Sequence, residues 1–136
     1  MPSYKGSCAC GAVKIEAEID DPTSVFICHC NACKIRHGPF NSVIVIPEDK
    51  YKIVEGKDNL SVWAYTADSG NPLPKSFCKT CGVALFATAV PLPGMIIATA
   101  PTFTEAWNSG ELRPSAQADV AQKLSWIDTL AELKAM

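Results

Sequence analysis

The sequence predicts a mainly β protein of antiparallel sheets, stabilised by zinc and followed by a short C-terminal helix. Short apolar or alternating segments follow one another between turn residues, which is typical of antiparallel strands. Apolar residues recur at helical spacing near the C-terminus. Seven cysteines, in three groups along the chain, are the residues that would bind the zinc.

The clearest strand covers residues 12–20, where from Val13 onward apolar residues at odd positions alternate with charged ones at even positions. This alternation places the apolar side chains on one face, so the strand is expected to be half-buried. Further strands are predicted at residues 24–27, 42–46, 51–54, 60–65, 83–88 and 95–99, and residues 75–77 lead into the last cysteine group. The loop 67–74 between two of them contains Gly70, Pro72 and Pro74 and is expected to border a pocket.

The C-terminal segment has the pattern of a helix. Ser125 and Asp128 have the spacing of a capping box, which marks a helix start. Apolar residues then recur at helical spacing, namely Trp126, Ile127, Leu130 and Leu133. The pattern predicts a helix over residues 125–134 that packs on the sheets.

Composition and charge limit the class of protein. The 136 residues are expected to form one domain, 1–136, and 48% hydrophobic with 19% charged residues indicates a globular chain. No apolar run approaches the length of a membrane span, and no signal peptide is recognised, so a cytoplasmic protein without a membrane partner is expected. The net charge of −2 predicts no nucleic-acid partner.

The cysteine pattern favours metal binding over disulfides. A secreted disulfide framework would favour an even number of cysteines, a signal peptide and a shorter chain. In a reducing compartment the same residues indicate metal sites. The three groups are Cys8 with Cys10, then Cys28 with Cys30 and Cys33, and finally Cys78 with Cys81.

Two of these groups end alike, because Gly11 follows Cys10 and Gly82 follows Cys81. Glycine allows a positive φ, which directs backbone N–H groups at the sulfur of a ligating cysteine. Pairing the two similar groups gives a closed four-thiolate site. Its ligands are Cys8, Cys10, Cys78 and Cys81. The remaining Cys28, Cys30 and Cys33 would leave one coordination position open, as in a catalytic zinc site.

A second pairing stays open on spacing alone. Two Cys-x-x-Cys pairs, Cys30 with Cys33 and Cys78 with Cys81, have the spacing of a zinc ribbon. That pairing would leave Cys8, Cys10 and Cys28. Either pairing requires two metals, or one metal and three free thiols.

Polar residues around the middle group have two interpretations. His29 and His37 are each candidates for a fourth metal ligand, and each is otherwise an ordinary solvated or supporting histidine. Lys34 and Arg36 are either surface charges or cations that help an anionic three-thiolate site to admit an anionic or thiolate-bearing ligand.

Three linked motifs carry a resemblance to a known family. They are Ser7-Cys8-Ala9-Cys10-Gly11-Ala12-Val13, the Cys28-His29-Cys30 and Cys33 block with Gly38 and Phe40, and Phe77-Cys78-Lys79-Thr80-Cys81-Gly82. Together they resemble the glutathione-dependent formaldehyde-activating enzyme family, which also includes centromere protein V. The resemblance runs in family order from about residue 5 to the region of Trp126.

The resemblance implies a β-rich, Mss4-like fold with two zinc ions per chain. It places a structural zinc at Cys8, Cys10, Cys78 and Cys81. It places an exchangeable catalytic zinc at Cys28, Cys30 and Cys33. Glutathione would be the cosubstrate. The family usually has arginine after the third cysteine of the middle motif, whereas this chain has Lys34, a single point charge in place of a bidentate clamp.

The leading hypothesis is a zinc-dependent carbon–sulfur lyase or transferase. It would join glutathione or another thiol to formaldehyde or a related carbonyl at the open three-cysteine site. Two alternatives remain. One is a non-catalytic zinc-stabilised binding module whose middle site is closed, with His37 as the candidate ligand. The other is a relative that catalyses dehydration or isomerisation of a glutathione adduct.

Overall fold

The computed structural model describes residues 2–136 and contains ten strands and two α-helices within them. The strands are β1 Ser3–Ser7, β2 Lys14–Glu18, β3 Val25–Cys28, β4 Asn41–Pro47, β5 Tyr51–Glu55, β6 Leu60–Trp63, β7 Lys75–Cys78, β8 Ala84–Ala87, β9 Met95–Thr99 and β10 Pro114–Ala118. The helices are α1 Asn31–His37 and α2 Thr104–Ser109.

The strands form two sheets. The smaller sheet has the order β1-β2-β5, and the larger has the order β10-β3-β4-β9-β8-β7-β6. All pairs are antiparallel except β10 with β3, which run parallel at the edge of the larger sheet. The main core combines side chains of both sheets, such as Ile15 of β2 and Ile44 of β4 with Phe103, and all three are almost fully buried. The mainly β prediction is therefore confirmed, whereas the likeness to Mss4-like proteins stays a prediction.

The strands that alternation or β-branched runs predict are all present, with bounds that differ by a few residues. Three strands, β1, β7 and β10, and both α-helices are not predicted by the sequence. Three of the four residues of β7 are buried, so it shows no alternation. Strand β1 has Tyr4 as its one buried side chain, and β10 begins at Pro114 with almost all of its residues exposed. Neither strand therefore carries the apolar pattern from which strands are recognised in a sequence.

The C-terminal helix is present, but it differs from the prediction. Residues Ser125–Glu132 form 3-10 turns interrupted by non-helical dihedral angles at Thr129, and none of them is buried. Asp128 forms an ion pair with Lys123 at 2.9 Å, and no side chain caps the first turn. Without a buried face, nothing selects a packed α-helix here. No helix within residues 2–136 is long and apolar enough to cross a lipid bilayer.

Gly56, which follows β5, comes close to the backbone of Ala12. Ala12 lies in the turn between β1 and β2 that carries Cys8 and Cys10. The φ of Gly56 is +82°, and a Cβ at this position would overlap the carbonyl oxygen of Ala12. Gly70 is a natural comparison, because its φ is +87° but a Cβ there would meet nothing within 4 Å.

We therefore expect Gly56→Ala to destabilise the protein far more than Gly70→Ala. The left-handed backbone alone should cost Gly70→Ala about 1 kcal/mol. Backbone overlap in addition should raise the cost of Gly56→Ala to about 3 kcal/mol or more. Chemical denaturation of both variants gives the two free energies of unfolding. Equal losses would show that the close approach to Ala12 is not required.

Candidate metal centres and the cavity beside them

Two turns of the same construction bring four cysteines together. In the turn after β1, Cys8 N donates to Val13 O at 3.0 Å, and in the turn after β7, Cys78 N donates to Val83 O at the same distance. Within each of them, a tighter turn ends at a glycine: Gly11 N donates to Cys8 O at 3.3 Å, and Gly82 N donates to Cys78 O at 2.7 Å. These glycines have φ of +78° and +79°. Space does not require glycine at either position, since a Cβ would meet nothing within 4 Å. The positive φ itself is the requirement.

The sulfur atoms of this cluster have the spacing of a tetrahedral metal site. All four Sγ atoms of Cys8, Cys10, Cys78 and Cys81 lie within 4.8 Å of one another. Cys10 Sγ lies 3.6 Å from Cys8 Sγ and 3.7 Å from Cys78 Sγ. Tetrahedral zinc with zinc–sulfur bonds of about 2.3 Å requires about 3.8 Å between sulfurs. The donor set and its spacing therefore fit a closed four-thiolate zinc site.

Hydrogen-bond donors surround these sulfurs. Val13 N donates to Cys8 Sγ at 3.3 Å, and Asn59 Nδ2 donates to Cys78 Sγ at 3.2 Å. The backbone N–H of Cys81 is the largest influence that lowers the pKa of Cys78 to about 6. No sequence signal marks Asn59 as a partner of Cys78, because it lies 19 positions away and outside the cysteine motifs.

The middle group forms a second cluster, built by a strand end and a helix start. Cys28 is the last residue of β3, and Cys30 is the N-cap of α1, where its Sγ accepts a hydrogen bond from Cys33 N at 3.3 Å. The three sulfur atoms lie within 4.8 Å of one another. Hydrogen bonding from the Cys33 thiol lowers the pKa of Cys28 to about 6 and raises the pKa of Cys33. Cys28 and Cys33 therefore lose their protons at different pH values.

The seven cysteines are thus grouped as four and three, and the zinc-ribbon grouping is not the one that the structure has. Within residues 2–136, no histidine nitrogen or carboxylate oxygen joins the three sulfurs as a fourth mutually close ligand. His29 is buried, with its Nε2 at 2.9 Å from Gln117 Oε1 and its ring edge against Phe40. It is therefore a supporting residue rather than an exposed one.

Asp119 approaches the three-cysteine cluster from β10. Its Oδ2 accepts a hydrogen bond from Cys28 Sγ at 3.4 Å. With a φ of +54°, it is the one residue other than glycine in the described part of the chain that has a positive φ. Strained backbone of this kind concentrates at functional sites. No local sequence signal marks Asp119, because pairing of β10 with β3 brings it to Cys28 from 91 positions along the chain.

A cavity of about 400 Å³ opens beside the three cysteines. This volume is within the range of small-molecule binding sites. Its apolar walls come from the larger sheet and include Phe26, Val43, Phe86 and Ile97. The loop expected to border a pocket does so, through Ala67, Asp68, Ser69 and Leu73.

Of the two cations that the sequence singled out, Arg36 lines this cavity and Lys34 does not. Lys34 turns away, since its Nζ donates to the backbone carbonyl of Gln122 at 2.6 Å. Arg36 and Lys75 line the cavity together with His37. Burial and the two neighbouring cations lower the pKa of His37 to about 4. His37 is therefore a neutral ring at physiological pH.

We expect His37 to titrate with a midpoint near pH 4 in the folded protein, against about 6.5 when unfolded. Between pH 4 and pH 6.5 the unfolded chain binds this proton more tightly than the folded chain, so protonation of His37 favours unfolding. The contribution of His37 to stability should be complete above pH 6.5 and should fall as the pH falls through 4. Ring chemical shifts measured by NMR from pH 3 to pH 8 give the midpoint, and His37→Gln assigns the signal. A midpoint near 6.5 would place His37 in solvent.

Comparisons with known proteins agree with this architecture. A family model described as glutathione-dependent formaldehyde-activating enzyme matches residues 3–122. A Schizosaccharomyces pombe protein named as an uncharacterized lyase is 31% identical over 87 residues, which cover 63% of this chain and 58% of that relative. A crystal structure of a Rhodobacter sphaeroides protein matches with a TM-score of 0.64 at 23% identity, over 82% of this chain and 99% of the other. This last likeness shows the fold alone.

Proposed function

Because the chain belongs to the glutathione-dependent formaldehyde-activating enzyme family, we propose that it is a zinc-dependent carbon–sulfur lyase or transferase. Its substrates would be glutathione or another thiol, with formaldehyde or a related carbonyl. Family membership confirms the resemblance inferred from the cysteine motifs, and the name of the relative also indicates a lyase. The observation that carries the proposal is a cluster of three sulfurs, without a fourth ligand from residues 2–136, that opens into a cavity.

The two clusters would have different roles. Cys8, Cys10, Cys78 and Cys81 would hold one zinc ion in a closed site that stabilises the fold. Cys28, Cys30 and Cys33 would hold a second, exchangeable zinc with one position open to substrate. Zinc in such a position lowers the pKa of a bound thiol and polarises a carbonyl oxygen.

The chain itself would supply the electrostatics and the exclusion of water. Three thiolates around a divalent ion carry a net charge of about −1. Arg36 and Lys75 line the same cavity and offset that charge, so an anionic thiol can enter. The apolar walls exclude water and strengthen each of these interactions. His37 remains neutral and adds no cation.

The alternative of a non-catalytic module closed by His37 has no support in the geometry, since the His37 ring is not within the sulfur cluster. Dehydration or isomerisation of a glutathione adduct would use the same cavity. Product analysis with each type of substrate distinguishes it from the leading proposal.

Replacing one cysteine in each cluster tests the division of roles. Cys30→Ser should lower turnover by more than about 100-fold while the fold persists, because it removes a ligand of the open site. Cys81→Ser should lower the free energy of unfolding by about 3 kcal/mol or more, because it breaks the closed site. Turnover is the rate at which formaldehyde exchanges between its free form and its glutathione adduct. This rate is measured by NMR, and the uncatalysed rate is subtracted.

Metal analysis and circular dichroism complete this experiment. We expect about two zinc ions per wild-type chain and about one in Cys30→Ser. Equal loss of secondary structure in both variants, or full turnover in Cys30→Ser, would refute a catalytic role for the three-cysteine cluster.

A further inference from the structure

Lys75 is a buried cation without an anionic partner. It is the first residue of β7, and only 7% of its surface is exposed. No carboxylate within residues 2–136 lies within 4.0 Å of its Nζ, whereas Lys14, Lys50 and Lys123 each form an ion pair. Lysine is almost never buried to this degree unless it is paired. The ammonium group therefore has an unused capacity to bind an anion.

Aromatic rings hold this ammonium group in place. Lys75 Nζ lies 4.6 Å from the ring centre of Tyr65 and 5.6 Å from that of Trp63. A cation over an aromatic face gains electrostatic attraction, yet its N–H groups remain free to donate elsewhere. The rings thus fix the position of the ammonium group without satisfying its hydrogen bonds.

A second cation shares the same aromatic surface. Arg36 Cζ of α1 lies 5.6 Å from the ring centre of Trp63 and 5.8 Å from that of Phe77. No ion pair within residues 2–136 involves Arg36. Arginine and lysine on one aromatic platform form a site for a carboxylate, which a guanidinium binds through two parallel hydrogen bonds.

The acidic residues on the cavity do not neutralise these cations. Asp119 Oδ2 lies 3.4 Å from Cys28 Sγ and forms no ion pair with the described residues, and Asp68 is exposed on the loop, where its charge contributes to a raised pKa of Tyr65 behind the larger effect of burial. Lys75, Arg36 and the three cysteines therefore line one cavity in which both cations lack a carboxylate partner.

We propose that Lys75, together with Arg36, binds a carboxylate group of the thiol substrate while the substrate sulfur reaches the three-cysteine cluster. This inference rests on the proposed function for the identity of the ligand. In this proposal, Lys75 is the residue that makes the site prefer carboxylate-bearing thiols to neutral thiols. Carboxylate binding also explains why a lysine is tolerated at a buried position of β7, next to the edge strand β6, since the substrate supplies the missing anion.

The test separates carboxylate binding from thiol chemistry. Zinc-loaded protein is titrated by calorimetry with glutathione, with S-methylglutathione, and with 2-mercaptoethanol. S-methylglutathione keeps both carboxylates but has no free thiol, whereas 2-mercaptoethanol has a thiol and no carboxylate. Lys75→Met keeps a side chain of similar length over the rings. Lys52→Met is the matched control, because Lys52 is exposed on β5.

Lys75→Met should weaken binding of glutathione and of S-methylglutathione about tenfold or more, since a charge-assisted hydrogen bond is lost. Binding of 2-mercaptoethanol should change less than about twofold. Lys52→Met should bind all three ligands as the wild type does. Lys75→Arg, which keeps the charge, should recover most of the affinity. If Lys75→Met does not fold, Arg36→Gln serves as the second variant, with the same expected pattern.

Failure of this inference is distinct from failure of the proposed function. Unchanged affinity of the Lys75→Met protein for S-methylglutathione, or no binding of S-methylglutathione to the wild type, overturns the carboxylate site even if turnover is normal. Loss of S-methylglutathione affinity in Lys75→Met upholds the site even if no carbonyl reaction is found.

Discussion

The mutual repulsion of four closely packed sulfurs is the constraint on which the rest of the structure depends. Cys10 and Cys78 come from turns 68 residues apart, yet their sulfurs lie 3.7 Å from each other. Thiolates at this distance repel strongly unless a cation lies among them. One turn extends β1 of the smaller sheet and the other extends β7 of the larger. The zinc proposed here would therefore join the two sheets as well as balance their charge.

The two cysteine clusters differ because their backbones differ. In the four-cysteine cluster, two glycine-ended turns each bring a pair of sulfurs to the same point. In the three-cysteine cluster, Cys28 ends β3, Cys30 caps α1 and Cys33 lies within α1, so one short segment supplies all three sulfurs. No histidine nitrogen or carboxylate oxygen of the described residues joins these sulfurs, and the cavity beside them has apolar walls and two cations. In the proposed function, the closed cluster would stabilise the fold and the open one would hold the exchangeable zinc.

Much of the fold was accessible from the sequence, because alternation of apolar residues is a local signal. The site was accessible only in part. The glycines after Cys10 and Cys81 indicated the grouping of the cysteines. Lys75 gave no such signal, since its aromatic partner Tyr65 precedes it by ten positions across a polar loop. Lys34 and Arg36 lie on one helix, and only the position of Gln122 shows that Lys34 is engaged elsewhere.

The parallel pairing of β10 with β3 has a consequence for biosynthesis. A ribosome releases both glycine-ended turns once residue 83 has emerged, so the four-cysteine cluster can assemble early. The cavity wall beside Cys28 includes Asp119 and Gln122, which are translated about forty residues after residue 83. A nascent chain therefore passes through a stage in which the four-cysteine cluster can form while Cys28, Cys30 and Cys33 still lack this wall and are open to oxidation or stray metals.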